Sequence, residues 1–98
     1  MPNQYVIIFY NKFINRKKAN VNFQDNKGRT VLMIFTYKGN YEMVKLLLSK
    51  GANFSLQDSN GNTAVHYLIF SSKVNTKILK LFINKNFNFG IKNKLNVS

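Results

Sequence analysis

The segments ANVNFQDNKGRT at residues 19–30 and ANFSLQDSNGNT at residues 52–63 decide the fold, because the second repeats the pattern of the first. Ala, Asn, Gln, Asp, Gly and Thr recur between them at a constant offset of 33 residues. The matches in the first half of the segments involve different residues from the matches in the second half, and both halves give the same period of 33 residues. Such self-similarity is the signature of a repeat protein, in which each copy forms one supersecondary unit.

Two short helices are predicted after the first segment. One runs from Val31 to Lys38 after Thr30, a favoured N-cap residue, and Gly39 can end it in a left-handed conformation. The other, Tyr41 to Ser49, places apolar residues at i, i+3 and i+4, which form one stripe along the helix. That stripe consists of Val44, Leu47 and Leu48, with Asn40 as the cap and Gly51 as the stop.

The second unit repeats this order with a change between its helices. Thr63 is placed to cap a helix from Ala64 to Phe70, and Asn75 is placed to cap one from Thr76 to Asn84. The second helices are offset by 35 residues, so two residues are inserted, and the turn near Ser72 is predicted to be longer and looser. The equivalent apolar residues are Leu79, Phe82 and Ile83, the insertion lies between His66 and Asn75, and Asn86 replaces the stop glycine.

A 33-residue unit of loop, helix, turn and helix resembles the ankyrin repeat. The Thr-Pro-Leu-His motif of that family appears here at residues 30–33 as TVLM and at residues 63–66 as TAVH, without the proline in either and without the histidine in the first. The resemblance implies an all-α fold, a short ankyrin-type solenoid of stacked helix-turn-helix units with hairpin-like loops. The residues that carry it are Gly28, Thr30, Leu32, Gly39, Val44, Leu47, Leu48, Gly51, Ala52 and Asn53, then Gly61, Thr63, Val65, His66, Leu79 and Asn88.

The whole chain, residues 1–98, is predicted to be a single domain of this kind. Complete repeats span residues 25–57 and 58–92, the latter with the two-residue insertion. Residues 8–24 form a partial repeat, and residues 93–98 form the truncated start of a further one. Two complete units fall below the three that such arrays need, so we expect a piece of a longer array, or self-association through uncapped ends. The apolar end residues are Phe9, Phe13 and Ile14 on one side and Phe82, Phe87 and Phe89 on the other.

Several residues of the motif have mechanical roles. Asp25 and Asp58 can accept N–H groups around the turn at each loop tip, where Gly28 and Gly61 supply a positive φ. By the resemblance, His66 bridges hydroxyl and backbone groups between neighbouring units. The predicted structural set is Asp25, Gly28, Thr30, Gly39, Gly51, Asp58, Gly61, Thr63 and His66.

The composition argues against an enzyme. The chain contains no cysteine, one histidine, and three acids, Asp25, Glu42 and Asp58. Neither a nucleophile with its base nor a converging pair of carboxylates is visible in the pattern, and the sequence has no glycine-rich phosphate loop. We therefore predict no catalytic residue, no metal site and no cofactor.

The first ten residues give no sign of targeting. The apolar run from Tyr5 to Tyr10 has no basic residue before it and is too short for a signal core or a membrane span. We therefore expect no membrane span and an intracellular location, either in the cytoplasm of the cell that makes the protein or, for a secreted effector, inside a host cell.

Proteins that resemble ankyrin arrays bind other proteins through loop tips and first helices, so the resemblance implies a binding scaffold for another protein. Arg29 and Tyr37 are the strongest candidates, because Arg and Tyr dominate binding energy at interfaces. A basic cluster of Lys27, Arg29 and Lys38 favours an acidic partner. The full predicted set is Asn26, Lys27, Arg29, Tyr37, Lys38, Ser59, Asn60, Asn62, Phe70 and Ser71.

The net charge of +12 leaves other interpretations open. It fits drift toward lysine in an AT-rich genome, and it also fits a basic nucleic-acid-binding protein. Second helices usually form the convex face of such an array, and these helices and their ends carry Lys45, Lys50, Lys77, Lys80 and Lys85. A third alternative is a truncated gene fragment without independent function.

Overall fold

A computed structural model describes residues 20–71, 74–87 and 90–95. Four helices and no strands form in these ranges: α1 (Val31–Tyr37), α2 (Tyr41–Ser49), α3 (Ala64–Phe70) and α4 (Thr76–Asn84). Each agrees with its predicted bounds, except that α1 ends one residue earlier. The predictions for Phe9, Phe13, Ile14, Ser72, Asn88, Phe89 and most of the partial repeat at 8–24 lie outside the described residues.

The helices begin and end where the capping residues predict. Asn40 and Asn75 are the N-caps of α2 and α4, and each amide oxygen accepts a 3.1 Å hydrogen bond from a backbone N–H of the first turn. After α1 and α2, Gly39 and Gly51 adopt positive φ values of 73° and 87°. Asn86 does the same after α4 with φ 59°, so the predicted left-handed asparagine stop is confirmed.

Equivalent helices of the two units pack in two layers. α1 packs against α3, and α2 packs against α4, so each unit covers the apolar stripe of the other. Between the layers lies a single core, to which both first helices and both second helices contribute. Its most deeply buried side chains include Leu32, Met33, Val44, Leu47, Val65, Leu68, Ile78 and Phe82.

The burial along α4 differs from the prediction in two respects. Phe82 is buried, as its place in the apolar stripe predicts, and with Phe87 it does not form the uncovered end that we also expected. The chain turns back at Asn86, and both rings pack on Phe54 at 5.9 and 5.1 Å between centroids. Ile83, which we expected in the apolar stripe, is 53% exposed, whereas the equivalent Leu48 is 8% exposed. Leu48 lies on the face of α2 that the second unit covers, and no described helix covers that face of α4.

The loops between units stack tip to tip. The Ser59 N–H donates to the Lys27 carbonyl at 2.9 Å, and the Lys94 N–H donates to the Asn60 carbonyl at 2.9 Å. The backbones come so close that a Cβ on Gly28 would lie 2.9 Å from the Cα of Asp58. Gly28 therefore has two reasons to be glycine, its φ of 76° and the lack of space beside it.

A glutamine in each loop joins one loop to the next. The Gln24 side-chain amide donates to the Gly28 carbonyl at 2.9 Å within its own loop and to the Gln57 carbonyl at 3.0 Å in the next loop. Gln57 repeats the arrangement, donating to the Gly61 carbonyl at 2.8 Å and to the Lys92 carbonyl at 3.3 Å. The ladder of loops thus continues into residues 90–95.

Candidate protein-binding surface

The first loop tip is a closed turn with an ion pair at its centre. Asp25 Oδ1 accepts backbone N–H bonds from Lys27 at 2.9 Å and Arg29 at 2.8 Å. Its Oδ2 accepts the Nε–H of Arg29 at 2.8 Å. The backbone N–H of Arg29 is the main influence that lowers the pKa of Asp25, and the guanidinium lowers it further. Arg29, a predicted binding residue, is therefore held against its own loop.

The second loop tip uses the same turn with different partners. Asp58 Oδ1 accepts backbone N–H bonds from Asn60 and Asn62, both at 2.8 Å, and its Oδ2 accepts the hydroxyl of Tyr67 at 2.5 Å. Burial raises the pKa of Asp58, but these hydrogen bonds outweigh burial, so the pKa lies below its usual value. Burial and the neighbouring carboxylate raise the pKa of the Tyr67 phenol. Both aspartates thus accept the backbone N–H groups of their own turns.

An aromatic strip crosses the two first helices. It consists of Tyr37 on α1 with Tyr67 and Phe70 on α3. The Tyr37 and Tyr67 rings meet edge to face at 6.5 Å between centroids, and the Tyr67 and Phe70 rings lie 6.4 Å apart. Tyr37 is 53% exposed and Phe70 is 46% exposed, while Tyr67 is half-buried between them. Ile34 and Ile69, on the same helices, are also exposed.

Sequence reasoning found the two ends of this strip and missed its centre. Tyr67 takes the position that Ile34 holds in the first unit, 33 residues earlier, and the repeat pattern assigns no role to either residue. A signal was available, since a hydroxyl at that position lies nine residues after Asp58 and can reach the loop tip. Tyr37 and Phe70 were predicted, and the structure places them on either side of Tyr67.

The other predicted binding residues fall into two groups. Exposed at the surface are Asn26, Lys27, Lys38, Ser59 and Asn60. Two more have structural contacts of their own: the amide oxygen of Asn62 accepts the Asn93 amide at 2.7 Å, and the Ser71 hydroxyl donates to the Leu68 carbonyl at 2.6 Å. The hydrogen bond from Tyr67 to Asp58 connects the strip to the second loop tip.

The described ranges contain no group of three or more His, Asp or Glu side chains that could hold a metal ion. His66 is fully buried, and its Nδ1 accepts the Thr63 backbone N–H at 2.9 Å, so the ring is part of the helix start. These contacts lie within one unit, and the predicted bridge from His66 to a neighbouring unit stays a prediction. None of the four described helices has the length and apolar character needed to cross a membrane.

Comparison with known proteins agrees with this geometry. The family model described as ankyrin repeats, in three copies, matches residues 6–93. The chain belongs to the ankyrin-repeat family. The solved structure of the ankyrin repeat domain of Bcl-3, titled a unique member of the IκB protein family, superimposes with a TM-score of 0.75 at 25% identity. The superposition covers 84% of this chain and 36% of the Bcl-3 chain.

Relatives of the ankyrin-repeat chain come from viruses and animals. An ankyrin repeat protein of Acanthamoeba polyphaga mimivirus is 46% identical over 53% of this chain, and one of fowlpox virus is 41% identical over 53%. Ankyrin repeat and SAM domain-containing protein 6 of Rattus norvegicus is 51% identical over 49%. The matched segments span 13%, 28% and 6% of those relatives, so the chain corresponds to a small part of each.

Proposed function

We propose that this ankyrin-repeat chain is a non-enzymatic scaffold that binds another protein through its loop tips and first helices. The observation that carries the proposal is the aromatic strip of Tyr37, Tyr67 and Phe70, which crosses both first helices. Ankyrin repeats are in general protein-interaction modules, and the family assignment agrees with this role.

The strip has the composition of a binding surface. Large aromatic side chains supply much contact area at a low entropic cost, and Tyr is enriched among the residues that dominate binding energy. Tyr37 and Phe70 expose roughly half of their surface although the core offers apolar surroundings nearby. Contiguous exposed apolar residues on a soluble domain mark interaction sites more often than isolated ones do.

The charge beside the strip favours an acidic partner. Lys27 and Lys38 are exposed, and Arg29 lies between them along the chain. The Nε–H of Arg29 already binds Asp25, which fixes the guanidinium beside the tip and lowers the entropy lost on binding. Such a cluster accelerates association with a negatively charged surface at low salt.

The arrangement of polar groups supports a non-catalytic role. Asp25 and Asp58 accept the N–H groups of their own turns, and His66 is buried at a helix start. A general base must reach a bound substrate, and these three groups serve the fold instead.

We further propose that the units span residues 25–57 and 58–92, and that a third unit begins at Asn93. The side-chain oxygen of Asn93 accepts the Leu95 N–H at 2.9 Å, as Asp58 accepts the Asn60 N–H at 2.8 Å. Asn93 lies 35 residues after Asp58, the offset that also relates α2 to α4. The exposed side chain of Ile83 gives α4 an apolar surface on the side away from α2. We therefore also propose self-association through this end of the array.

The binding proposal can be tested with ligands selected from a random peptide library displayed on phage. Affinities of the selected peptides are then measured by calorimetry for the wild type and for Tyr37→Ser and Phe70→Ser. The expected result is a loss of about tenfold or more, since a truncated interface aromatic costs about 2 kcal/mol.

Ile83→Ser is the matched control, because Ile83 is 53% exposed, as Tyr37 is, but lies on α4 away from the strip. The control should bind the selected peptides as the wild type does. Peptides that tolerate both strip variants and fail with the Ile83 variant would place the binding surface elsewhere and overturn the proposal.

A further inference from the structure

Lysines recur at equivalent positions on the two second helices. Lys45 of α2 corresponds to Lys80 of α4, and Lys50 corresponds to Lys85, each pair separated by 35 residues. All four side chains are exposed. Because α2 packs against α4, the pairs form two rows across neighbouring helices, and we refer to these four residues as the lysine grid.

Few negative charges lie near the grid. The described residues contain three carboxylates, and two of them, Asp25 and Asp58, accept hydrogen bonds within the loop tips. The third, Glu42, is exposed in the first turn of α2, and Lys77 takes the equivalent position on α4. Within the described ranges the one ion pair joins Arg29 to Asp25, so no carboxylate there forms an ion pair with a lysine of the grid.

Helix capping accounts for only two of the four grid lysines. Lys50 and Lys85 are the C-cap residues of α2 and α4, where a positive charge interacts favourably with the helix dipole. Lys45 and Lys80 lie in the middle of their helices, where the dipole offers no such gain. Their repetition in both units therefore has no origin in capping.

We propose that the lysine grid binds the phosphate backbone of nucleic acid without sequence preference. This inference does not rest on the aromatic strip, which lies on the first helices. Lysine presents a compact point charge, without the planar fork by which arginine reads a phosphate or a guanine in two places. A row of such charges recognises a polyanion through counterion release and carries no means of reading bases.

The grid suits phosphates better than an acidic protein surface. Protein interfaces draw most of their energy from buried aromatic or apolar anchors, and the neighbouring exposed residues on this face, Ser49 and Asn84, are small and polar. The exposed apolar residue of α4, Ile83, corresponds to Leu48 and so lies on the inter-unit flank. Binding to a phosphate backbone requires only positive charges within reach of the phosphates.

The spacing of the lysines in the grid also fits a phosphate backbone. Packed helices lie about 8–10 Å apart, which sets the separation between the two lysines of a row. Duplex DNA carries about one charge per 1.7 Å of its axis, so each lysine finds a phosphate whatever the register. Full engagement of the grid predicts a slope of log affinity against log salt of about −3.6, from four contacts at about −0.9 each.

The test is the fluorescence anisotropy of a labelled DNA duplex of arbitrary sequence, titrated with the intact chain at salt concentrations between about 50 and 200 mM. The grid variant carries Lys45→Gln, Lys50→Gln, Lys80→Gln and Lys85→Gln. We expect it to lose affinity by about tenfold or more at the lowest salt and to lose most of the salt slope. A second duplex of different sequence should bind the wild type equally well.

A matched control removes the same charge from the other side of the array. It carries Lys92→Gln and Lys94→Gln, both exposed in the loop that follows α4, and it is compared with the grid variant reduced to Lys45→Gln and Lys80→Gln, which removes the same two charges. We expect its affinity to fall by less than about threefold, because net charge acts on binding only weakly at a distance beyond the screening length. Should the grid variant fold poorly by circular dichroism, Lys45→Gln and Lys80→Gln tested singly should each lower affinity measurably.

Three outcomes would overturn the proposal. The control variant could lose as much affinity as the grid variant, which would mean that overall charge, and not this face, attracts DNA. The wild type could fail to give saturable binding at low salt. Polyglutamate, or vesicles containing phosphatidylserine, could bind the grid more tightly than DNA at equal charge concentration, which would assign the face to an acidic protein or to a membrane.

Discussion

The hydroxyl of Tyr67 donates a 2.5 Å hydrogen bond to Oδ2 of Asp58, which joins the helix α3 to the tip of its own loop. The first unit has no such bond, since Ile34 takes the place of Tyr67 and Arg29 supplies the partner for Asp25. The equivalent aspartates of the two tips thus take partners from different positions, a loop arginine in the first unit and a helix tyrosine in the second. This contact also fixes the ring at the centre of the aromatic strip, so it couples the stability of the loop to the shape of the candidate binding surface.

The hydrogen bond between Tyr67 and Asp58 makes the free energy of unfolding depend on pH at both the acidic and the basic extreme. Comparison of the wild type with Tyr67→Phe should reveal this dependence. The folded-state pKa of Asp58 is lowered, so its contribution is present above the unfolded value of about 3.9 and is lost as pH falls through the folded pKa. The folded-state pKa of Tyr67 is raised, so its contribution is present below about pH 10 and is lost as pH rises further.

The stability difference between wild type and Tyr67→Phe is therefore expected to be flat between about pH 5 and pH 9, at about 1 kcal/mol. We place it at the low end for a bond to a charged group, because the site is partly exposed to solvent. Urea unfolding across the pH range measures the difference. A gap that stays constant to below pH 3 and above pH 11, well past the reference values of both groups, would contradict the assignment.

A second prediction concerns Thr36, whose fully buried hydroxyl has no hydrogen-bond partner among the described residues. Thr36→Val replaces this hydroxyl with a methyl group of similar shape and should stabilise the fold by about 1 kcal/mol, because an unsatisfied buried polar group is removed. Thermal unfolding would then shift upward by about 4–8 °C for a domain of this size.

Thr30→Val is the control for this change. The hydroxyl of Thr30 accepts the Met33 N–H at 3.2 Å as the N-cap of α1, so the same chemical substitution should destabilise by about 1 kcal/mol. Equal signs for the two variants would show that threonine-to-valine exchange acts through helix propensity instead of through the buried hydroxyl.

Helices and turns could be predicted from the sequence because their signals are local. Thr30, Gly39 and Asn86 each act on backbone groups a few residues away, and a left-handed stop needs only the right residue at the right place. The burial of α4 could not be predicted in this way. Whether Ile83 is covered and Phe87 is enclosed depends on which elements lie beyond the helix, and the repeat pattern assigned Ile83 to the stripe by analogy with Leu48.

The candidate binding surface was predicted in the same uneven manner. The positions of Tyr37 and Phe70 follow from the repeat, which places both on first helices. Tyr67 was missed because its role depends on a side-chain contact across nine residues, and the repeat period carries no information about such a contact. The ion pair that holds Arg29 was missed for the same reason.

A third prediction compares two glycines that share a positive φ. Gly28→Ala places a Cβ 2.9 Å from the backbone of Asp58, whereas a Cβ at Gly51 meets nothing within 4 Å. Both variants incur the strain of a left-handed residue, about 1–2 kcal/mol. The Gly28 variant must in addition separate the two loop tips, so we expect it to cost about 3 kcal/mol in total.

Gly51→Asn refines this comparison, because Asn86 adopts the equivalent conformation at φ 59° in the second unit. It should be milder than Gly51→Ala, by a few tenths of a kcal/mol, since Asn tolerates this region better. Chemical denaturation ranks the three variants. A Gly28→Ala chain as stable as Gly51→Ala would show that the tips separate without loss, against the 2.9 Å bond between Ser59 and Lys27.

The last prediction uses the substitution that the two units already contain. His66 Nδ1 accepts the Thr63 N–H at 2.9 Å, and in the first unit the sulfur of Met33 accepts the Thr30 N–H at 3.3 Å. A thioether is a weaker acceptor than an imidazole nitrogen, but it leaves the buried N–H with a partner. His66→Met should therefore lower stability by about 1 kcal/mol less than His66→Leu, which has a similar size and no acceptor.

Both variants lose the other contacts of the imidazole, including its approach to Phe70 at 6.2 Å between ring centroids, so their difference isolates the acceptor. The reciprocal exchange, Met33→Leu, should cost about 1 kcal/mol, because it removes the acceptor from the N–H of Thr30. Equilibrium urea denaturation of the three variants provides the comparison. If leucine and methionine at position 66 prove equally stable, the sulfur at position 33 fills space without serving as an acceptor, and the two units begin their first helices by different means.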